Sequence, residues 1–179
     1  MAAGTVNVAG TLDASAPNGG NGGFIETSAA RVTVADGAKI SAAAPNGRFG
    51  TWLIDPVDYT VAAEGGDISG ATLSANLGST SVELQSHSGQ GSVNGNGNVN
   101  VNDAVSWSAN TALTLTASNN VNVNANLTAT GDSAGLVINP NTANGGVAAS
   151  GTGQFNLNNG AAITLSGAAP SLAIAGNTY

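Results

Sequence analysis

The chain has 179 residues, enough for one sizeable domain, and it is sparsely charged: ten Asp and Glu face three Lys and Arg, for a net charge of −7. Only 7% of residues are charged, against about a quarter in an ordinary globular domain, and no basic stretch exists to neutralise phosphates, which argues against nucleic-acid binding. Cysteine is absent, so disulfides and thiolate metal sites are excluded.

Gly occurs 26 times and Asn 23 times, while the strong helix formers Lys, Arg, Glu and Met are scarce. Long helices are therefore not expected. Disordered chains combine low hydrophobicity with high charge, whereas here 41% of residues are hydrophobic and the mean hydropathy is +0.10. This balance suits a folded, repetitive structure whose turns consume the Gly and Asn. The uncharged run from Ala104 to Gly131 is long enough to cross a membrane, but Asn, Ser and Thr interrupt it throughout. Met1-Ala2-Ala3-Gly4 has neither a basic nor an apolar leader region, so Met1 reads as an added start on an excised fragment.

In residues 1–61 a long repeat is visible. Leu12-Asp13-Ala14-Ser15-Ala16-Pro17-Asn18-Gly19 returns as Ile40-Ser41-Ala42-Ala43-Ala44-Pro45-Asn46-Gly47 at an offset of 28, and Val6-Asn7-Val8 resembles Val32-Thr33-Val34. Carried onward at 28, Phe24-Ile25 falls on Trp52-Leu53. Residues 62–92 repeat less clearly and read as an irregular coil or excursion. There Leu73, Leu77, Val82 and Leu84 suit either strand or a short helical turn, and Glu64-Gly65-Gly66-Asp67 and the stretch from Ser86 to Gly91 read as loops.

Residues 93–179 carry a tighter repeat. Val99-Asn100-Val101-Asn102 recurs 22 residues later as Val121-Asn122-Val123-Asn124, and Val105-Ser106-Trp107 recurs as Leu127-Thr128-Ala129. Leu113-Thr114-Leu115 corresponds to Leu136-Val137-Ile138 with one extra residue. Period-two alternation over three to five residues means half-buried strands, and three such runs per unit suit a coil of three short strands, one per face. A single coil cannot bury its own apolar side, but a stack can.

The expected fold is thus all-β, a right-handed parallel β-helix of about seven coils of roughly 22–28 residues, forming a rod on the order of 35 Å long. Val99, Val101, Trp107, Leu113, Leu115, Val121, Val123 and Leu127 would point inward as its core. Asn at like positions would stack its amides into hydrogen-bonded ladders.

Gly22-Gly23-Phe24-Ile25-Glu26-Thr27-Ser28, followed by Gly50-Thr51-Trp52-Leu53-Ile54-Asp55-Pro56, resembles filamentous-haemagglutinin-like exoproteins secreted by the two-partner route. The tail from Gly160 to Gly167 and from Ala175 to Tyr179 looks like the same family, so the resemblance covers nearly the whole chain. It implies a β-helical shaft, exported through an outer-membrane transporter to the medium or the bacterial cell surface, serving adhesion, aggregation or biofilm. A host-cell or surface receptor and neighbouring coils of a longer parent would be its partners. The Asn-Pro-Asn-Gly word of the family's secretion domain is missing. Ala-Pro-Asn-Gly occurs twice and Asn139-Pro140-Asn141-Thr142 once, which places this stretch downstream of the secretion signal.

Residues with possible chemistry are few. His87 is the single histidine and, between Ser86 and Ser88, reads as a polar loop residue rather than part of a catalytic triad. With one His and no Cys, zinc is disfavoured. Asp55 and Asp58 around Pro56, and Glu64 and Asp67 around two glycines, are the candidates for a hard cation such as Ca²⁺, although acids beside Pro and Gly are turn formers first. Trp52, Trp107, Tyr59, Phe24, Phe49 and Phe155 could form a sugar platform, but core packing explains them better. The pairs Thr114/Thr116 and Thr128/Thr130 have the pattern of an ice-binding face, yet β-propensity accounts for them. Asn126-Leu127-Thr128 is the sole glycosylation acceptor.

No catalytic set and no cofactor is therefore expected. The function expected is structural and adhesive. The alternatives are a β-helical polysaccharide-binding or polysaccharide-degrading module, for which only Arg31, Lys39 and Arg48 offer positive charge, and an ice-binding module.

Overall fold

The computed structural model describes residues 4–89, 94–144 and 148–179. The expected start at Met1, the last residues of the Ser86 to Gly91 loop and the boundary placed between 92 and 93 lie outside them.

Strands follow one another almost without helix: β1 (Thr5–Val8), β2 (Thr11–Asp13), β3 (Phe24–Ser28), β4 (Arg31–Val34), β5 (Lys39–Ser41), β6 (Thr51–Asp55) and β7 (Tyr59–Val61). After the helix α1 (Gly70–Leu77) come β8 (Ser81–Ser86), β9 (Val99–Val101), β10 (Val105–Trp107), β11 (Ala112–Ala117), β12 (Val121–Val123), β13 (Leu127–Ala129) and β14 (Gly135–Asn139). The chain ends in β15 (Phe155–Leu157), β16 (Ile163–Leu165), β17 (Ser171–Ile174) and β18 (Asn177–Thr178).

Pairing is parallel throughout the described residues except between β17 and β18. A seven-stranded sheet runs β3-β6-β8-β11-β14-β17-β18, a four-stranded one β7-β9-β12-β15 and a three-stranded one β10-β13-β16, while β1-β4 and β2-β5 form two-stranded sheets. The sheets are open rather than closed into a barrel. Asp67 and Ile68 stand between β4 and β7, with the Val34 N–H donating to the Asp67 carbonyl at 2.7 Å and Ile68 bridging Val61. The order of elements recurs along the chain: β1-β2-β3 and β4-β5-β6 each visit the two small sheets and then the seven-stranded one, β7-α1-β8 runs from the four-stranded sheet through the helix to the seven-stranded one, and β9-β10-β11, β12-β13-β14 and β15-β16-β17 each visit the four-, three- and seven-stranded sheets.

The spacing between paired strands varies along the chain. Paired residues on the Asn-bearing strands are 22 residues apart at Asn100 and Asn122, but 40 apart at Thr60 and Asn100 and 34 apart at Asn122 and Asn156. On both sides of the longer connections the paired strands keep the same alternation in phase.

One register differs from the sequence expectation. Ile25 pairs with Trp52 and Thr27 with Ile54, an offset of 27, so Phe24 stands beside Thr51 instead of Trp52. The Gly-rich corner after Pro45 is one residue shorter than that after Pro17. A one-residue slip would exchange the faces of the whole strand. Trp52 and Ile54 are fully buried whereas Phe24 is 61% exposed, and the Trp52 indole donates to Thr27 Oγ1 at 3.1 Å.

The core lies between the sheets and is filled by the inward residues of each pass. Tyr59, Val99 and Val121 line up on one side, Val105 and Leu127 on the second, and Trp52, Val82, Leu113 and Leu136 on the third. Val101, Trp107, Leu115 and Val123 are buried with them. Burying each large side chain contributes about 1.5–3 kcal/mol.

The stretch from Ile68 to Leu84 holds both a helix and a strand. Leu73 and Leu77, four apart, share a helix face and are buried, while Val82 and Leu84, two apart, face the core from β8. Ser69 caps the helix, its hydroxyl accepting from the Thr72 N–H at 3.2 Å, and Gly78 ends it.

Candidate functional site

Where strands stack in register, identical outward residues fall side by side. Asn122 Nδ2 donates to Asn100 Oδ1 at 2.8 Å and Asn156 Nδ2 to Asn122 Oδ1 at 2.8 Å, with Asn100 Nδ2 reaching Thr60 Oγ1 at 3.3 Å. A second column joins Asn124 Nδ2 to Asn102 Oδ1 at 2.7 Å and Asn158 Nδ2 to Asn124 Oδ1 at 3.0 Å. In a third, side-chain oxygens receive backbone N–H groups of the next pass: Asn98 to Asp58, Asn120 to Asn98 and Gln154 to Asn120. All the amide donors point toward the N-terminal end, so the ladders have a polarity.

The second polar feature is α1 with the turn that follows it, which together complete two sheet edges. Asn76 Oδ1 accepts from the Ile40 N–H at 2.6 Å while its Nδ2 donates to the Ala38 carbonyl at 3.0 Å, and Thr80 Oγ1 accepts from Ala42 and donates to the Ile40 carbonyl. On the other flank, the Ser106 N–H donates to Ser74 Oγ at 2.9 Å, and Thr111 Oγ1 donates to the Leu77 carbonyl. Asp36 and Asp103 hold the helix start through Ser69, Thr72 and the Gly70 N–H, where carboxylates are favoured. An open groove of about 780 Å³ runs beside the helix, lined by Ala38, Ile40, Ala71 and Ala75 and by the charged Asp36, Lys39 and Asp103.

His87 is a correction to the sequence reading: it is fully buried, with Nδ1 3.3 Å from Asp55 Oδ1. Its backbone N–H donates to the Val57 carbonyl at 3.1 Å. Burial raises the Asp55 carboxyl above its ordinary value, and the neighbouring His87 offsets part of that. His87 Nε2, Ser86 Oγ and Tyr59 Oη have no hydrogen-bond partner among the described residues. Ser86 and His87 have no exposed surface, whereas Asp55 keeps 9% of its own.

Against family models, curated proteins and solved structures, the chain finds no match.

The four acidic cation candidates are spread over separate tasks. Asp55 faces His87, Asp58 receives the Asn96 and Asn98 N–H groups, and Asp67 receives the Thr60 N–H at 2.9 Å and lies 3.6 Å from Arg31 Nε. Glu64 is exposed on the connecting loop. No group of three or more His, Asp or Glu side chains gathers among the described residues. Arg31, Asp58 and Asp67 do line one open cleft of about 530 Å³. Burial raises the Asp67 carboxyl and Asp58 adds to it, against the Thr60 N–H and Arg31. Burial likewise pushes the Tyr59 hydroxyl well up, with Asp67 contributing.

The aromatic residues do not form one platform: Trp52, Tyr59 and Trp107 are buried, and Phe24 is exposed at one end. Thr114 and Thr128 stand in different sheets, beside Glu83 and Val137 in one case and Ser106 and Thr164 in the other. Asn126 is exposed, and its Oδ1 accepts from the Ala162 N–H at 2.9 Å. No helix among the described residues is long and apolar enough to cross a membrane.

Sequence reasoning missed the edge-completing roles of Asn76 and Thr80. The readable signal was a Ser-initiated, Gly-terminated run with Leu73 and Leu77 at helical spacing.

Proposed function

We propose that the seven-stranded sheet, the four-stranded sheet together with β1-β4, and the three-stranded sheet together with β2-β5 and α1 are the three faces of a right-handed parallel β-helix of six turns, and that this stretch is a structural and adhesive shaft segment of a large secreted bacterial surface protein. The observation that carries the reading is the fixed three-element cycle, with amide ladders joining successive passes at Asn100, Asn122 and Asn156. Such a stack buries apolar surface and leaves a regular, sparsely charged exterior, which suits a spacer that projects a contact surface. The likeness of Gly22–Ser28 and Gly50–Pro56 to filamentous-haemagglutinin-like exoproteins adds export through an outer-membrane two-partner transporter, a location at the cell surface, and a host-cell or surface receptor as partner.

The segment is read as non-catalytic. Several of its acids and amides hold backbone: Asp58, Asp67, Asp103 and Asn76 each accept main-chain N–H groups.

The test is retention of beads coated with the folded chain on epithelial monolayers and on plastic, beside beads coated with albumin and with a heat-unfolded sample. Fold-dependent retention above both controls is expected. Retention equal to albumin on every surface would end the adhesive reading, and a crystal structure with a left-handed or unwound path would end the β-helix reading.

A further inference from the structure

Asp55-Pro56 is the single Asp-Pro pair in the chain. It lies at the corner between β6 and β7, with the buried His87 imidazole beside it. An Asp-Pro bond is chemically labile for two reasons. The side-chain carboxyl can close a cyclic anhydride on the carbonyl carbon of its own residue, an intramolecular attack with a high effective concentration. The proline nitrogen carries two alkyl groups and no hydrogen, so it takes up a proton and leaves more readily than an ordinary amide nitrogen.

The surroundings supply what that reaction needs. His87 Nδ1 stands 3.3 Å from Asp55 Oδ1 and the His87 N–H donates to the Val57 carbonyl at 3.1 Å, so one residue holds both sides of the bond. The Asp55 carbonyl, which would be attacked, accepts from the Ala29 N–H at 3.3 Å, and the Val57 N–H donates to the Ala30 carbonyl at 3.2 Å. The Ala29 contact is long in the resting chain and can tighten as the oxygen gains charge, which is how an oxyanion donor acts. Burial raises the Asp55 carboxyl against the opposing pull of His87, and Glu26 adds to the rise. A more basic carboxylate is a stronger nucleophile. His87 Nε2 has no hydrogen-bond partner among the described residues, which leaves no competing contact to fix the ring.

We propose that the chain cleaves itself between Asp55 and Pro56, with the Asp55 carboxyl as nucleophile and His87 as the carrier of the proton. His87 takes the proton from the Asp55 carboxyl, and a carboxylate oxygen bonds to the Asp55 carbonyl carbon. The C–N bond to Pro56 breaks as the imidazolium returns the proton to the proline nitrogen. The products are a cyclic anhydride at residue 55 and a free secondary amine at Pro56. Water, which reaches Asp55 through its exposed 9%, then opens the anhydride to two carboxyl groups. The reaction consumes its own bond once, so it needs no substrate pocket and stands apart from the adhesive reading. β6 stays paired with β3 and β8, and β7 with β9, so the nicked chain should keep its fold.

The experiment follows the purified chain by denaturing gel and mass spectrometry during incubation near neutral pH, beside the same chain unfolded in urea. Fragments 1–55 and 56–179 are expected, formed about tenfold faster or more in the folded chain and co-eluting on a sizing column until denatured. Their absence, or a rate no higher than in urea, would overturn the proposal, because ordinary Asp-Pro lability does not need the fold. His87→Gln should slow cleavage about 100-fold or more at an unchanged circular dichroism spectrum, and an undiminished rate would remove His87 from the reaction. Asp55→Glu keeps the charge but would have to close a larger ring, and cleavage at the parent's rate in it would exclude the anhydride. Should either variant fail to fold, the unaltered chain decides: with methoxyamine present, the 1–55 fragment should carry the methoxyamide at residue 55, since an anhydride acylates amines. A fragment bearing only the free acid would show direct hydrolysis and overturn the anhydride route.

Discussion

Between Val99 and Leu165 each strand meets its neighbour backbone to backbone, and the Asn columns add a second set of bonds on the outside. Between β5 and β10 no strand intervenes, and Asn76, Thr80 and Ser74 of the α1 region supply the missing donors and acceptors. The difference teaches that the edge of a sheet needs hydrogen-bond partners, not specifically another strand. In the laddered region the bonds are redundant and half-exposed. In the helical region a few buried side chains carry the whole requirement, so single substitutions should separate the two.

The largest effect should come from charge in the core that both regions share. Leu115→Asp or Trp107→Asp should cost about 3–5 kcal/mol or more, because an unpaired charge replaces a buried apolar group and the stacked units depend on their neighbours. Leu115 is fully buried, and Trp107 is 4% exposed with its indole donating to the Thr111 carbonyl. Urea unfolding measures this, and a midpoint unchanged in both variants would refute the placement.

Next comes the direct contrast. Asn76→Ala strips partners from the buried Ile40 N–H and Ala38 carbonyl and should cost about 2–4 kcal/mol. Asn122→Ala breaks two ladder bonds at a half-exposed site that water can re-solvate, and about 1 kcal/mol is expected. Equal losses in the same urea titration would erase the distinction between the regions.

Corners set a third test. A Cβ on Gly131 would stand 2.3 Å from the Ala109 carbonyl oxygen of the preceding pass, whereas one on Gly10 meets open space at φ +86. Gly131→Ala should therefore cost about 1–3 kcal/mol through overpacking, and Gly10→Ala about 1 kcal/mol through backbone strain alone. Differential scanning calorimetry should rank them in that order.

The smallest effect concerns pH. Asp67 holds its proton more tightly in the folded chain than its ordinary value of 3.8 would require. That contribution to stability is present in acid below the unfolded pKa and lost as pH rises through the folded one. Asp67→Asn, which can still accept from Thr60, should therefore raise the melting temperature slightly at neutral pH and lose that advantage in acid. A variant less stable than the parent at pH 7 would show instead that the Arg31 contact outweighs desolvation.

Much of the pairing in residues 99–139 was legible because it is written twice: Val99–Asn102 and Val121–Asn124 differ by one constant offset, and alternation leaves a single inward set. The β3–β6 register was misread by one residue because a corner glycine loop shortened, and corners carry no alternation by which to count. His87 was misread because two flanking serines describe its sequence neighbours, whereas burial depends on Asp55 and Val57, which approach from another pass. The same holds for Asn76, whose partners Ala38 and Ile40 lie 38 and 36 residues away.

What the amino-acid sequence determined by itself was the class of element and the inward face: low charge, short alternating runs and abundant Gly and Asn permit parallel strands and little helix. Only the tertiary structure decided where a helix could replace a strand, which polar groups became buried and how the ladders are oriented. Those outcomes depend on which passes lie about 4.8 Å apart, and that distance is set by stacking across the chain rather than by any local run of residues.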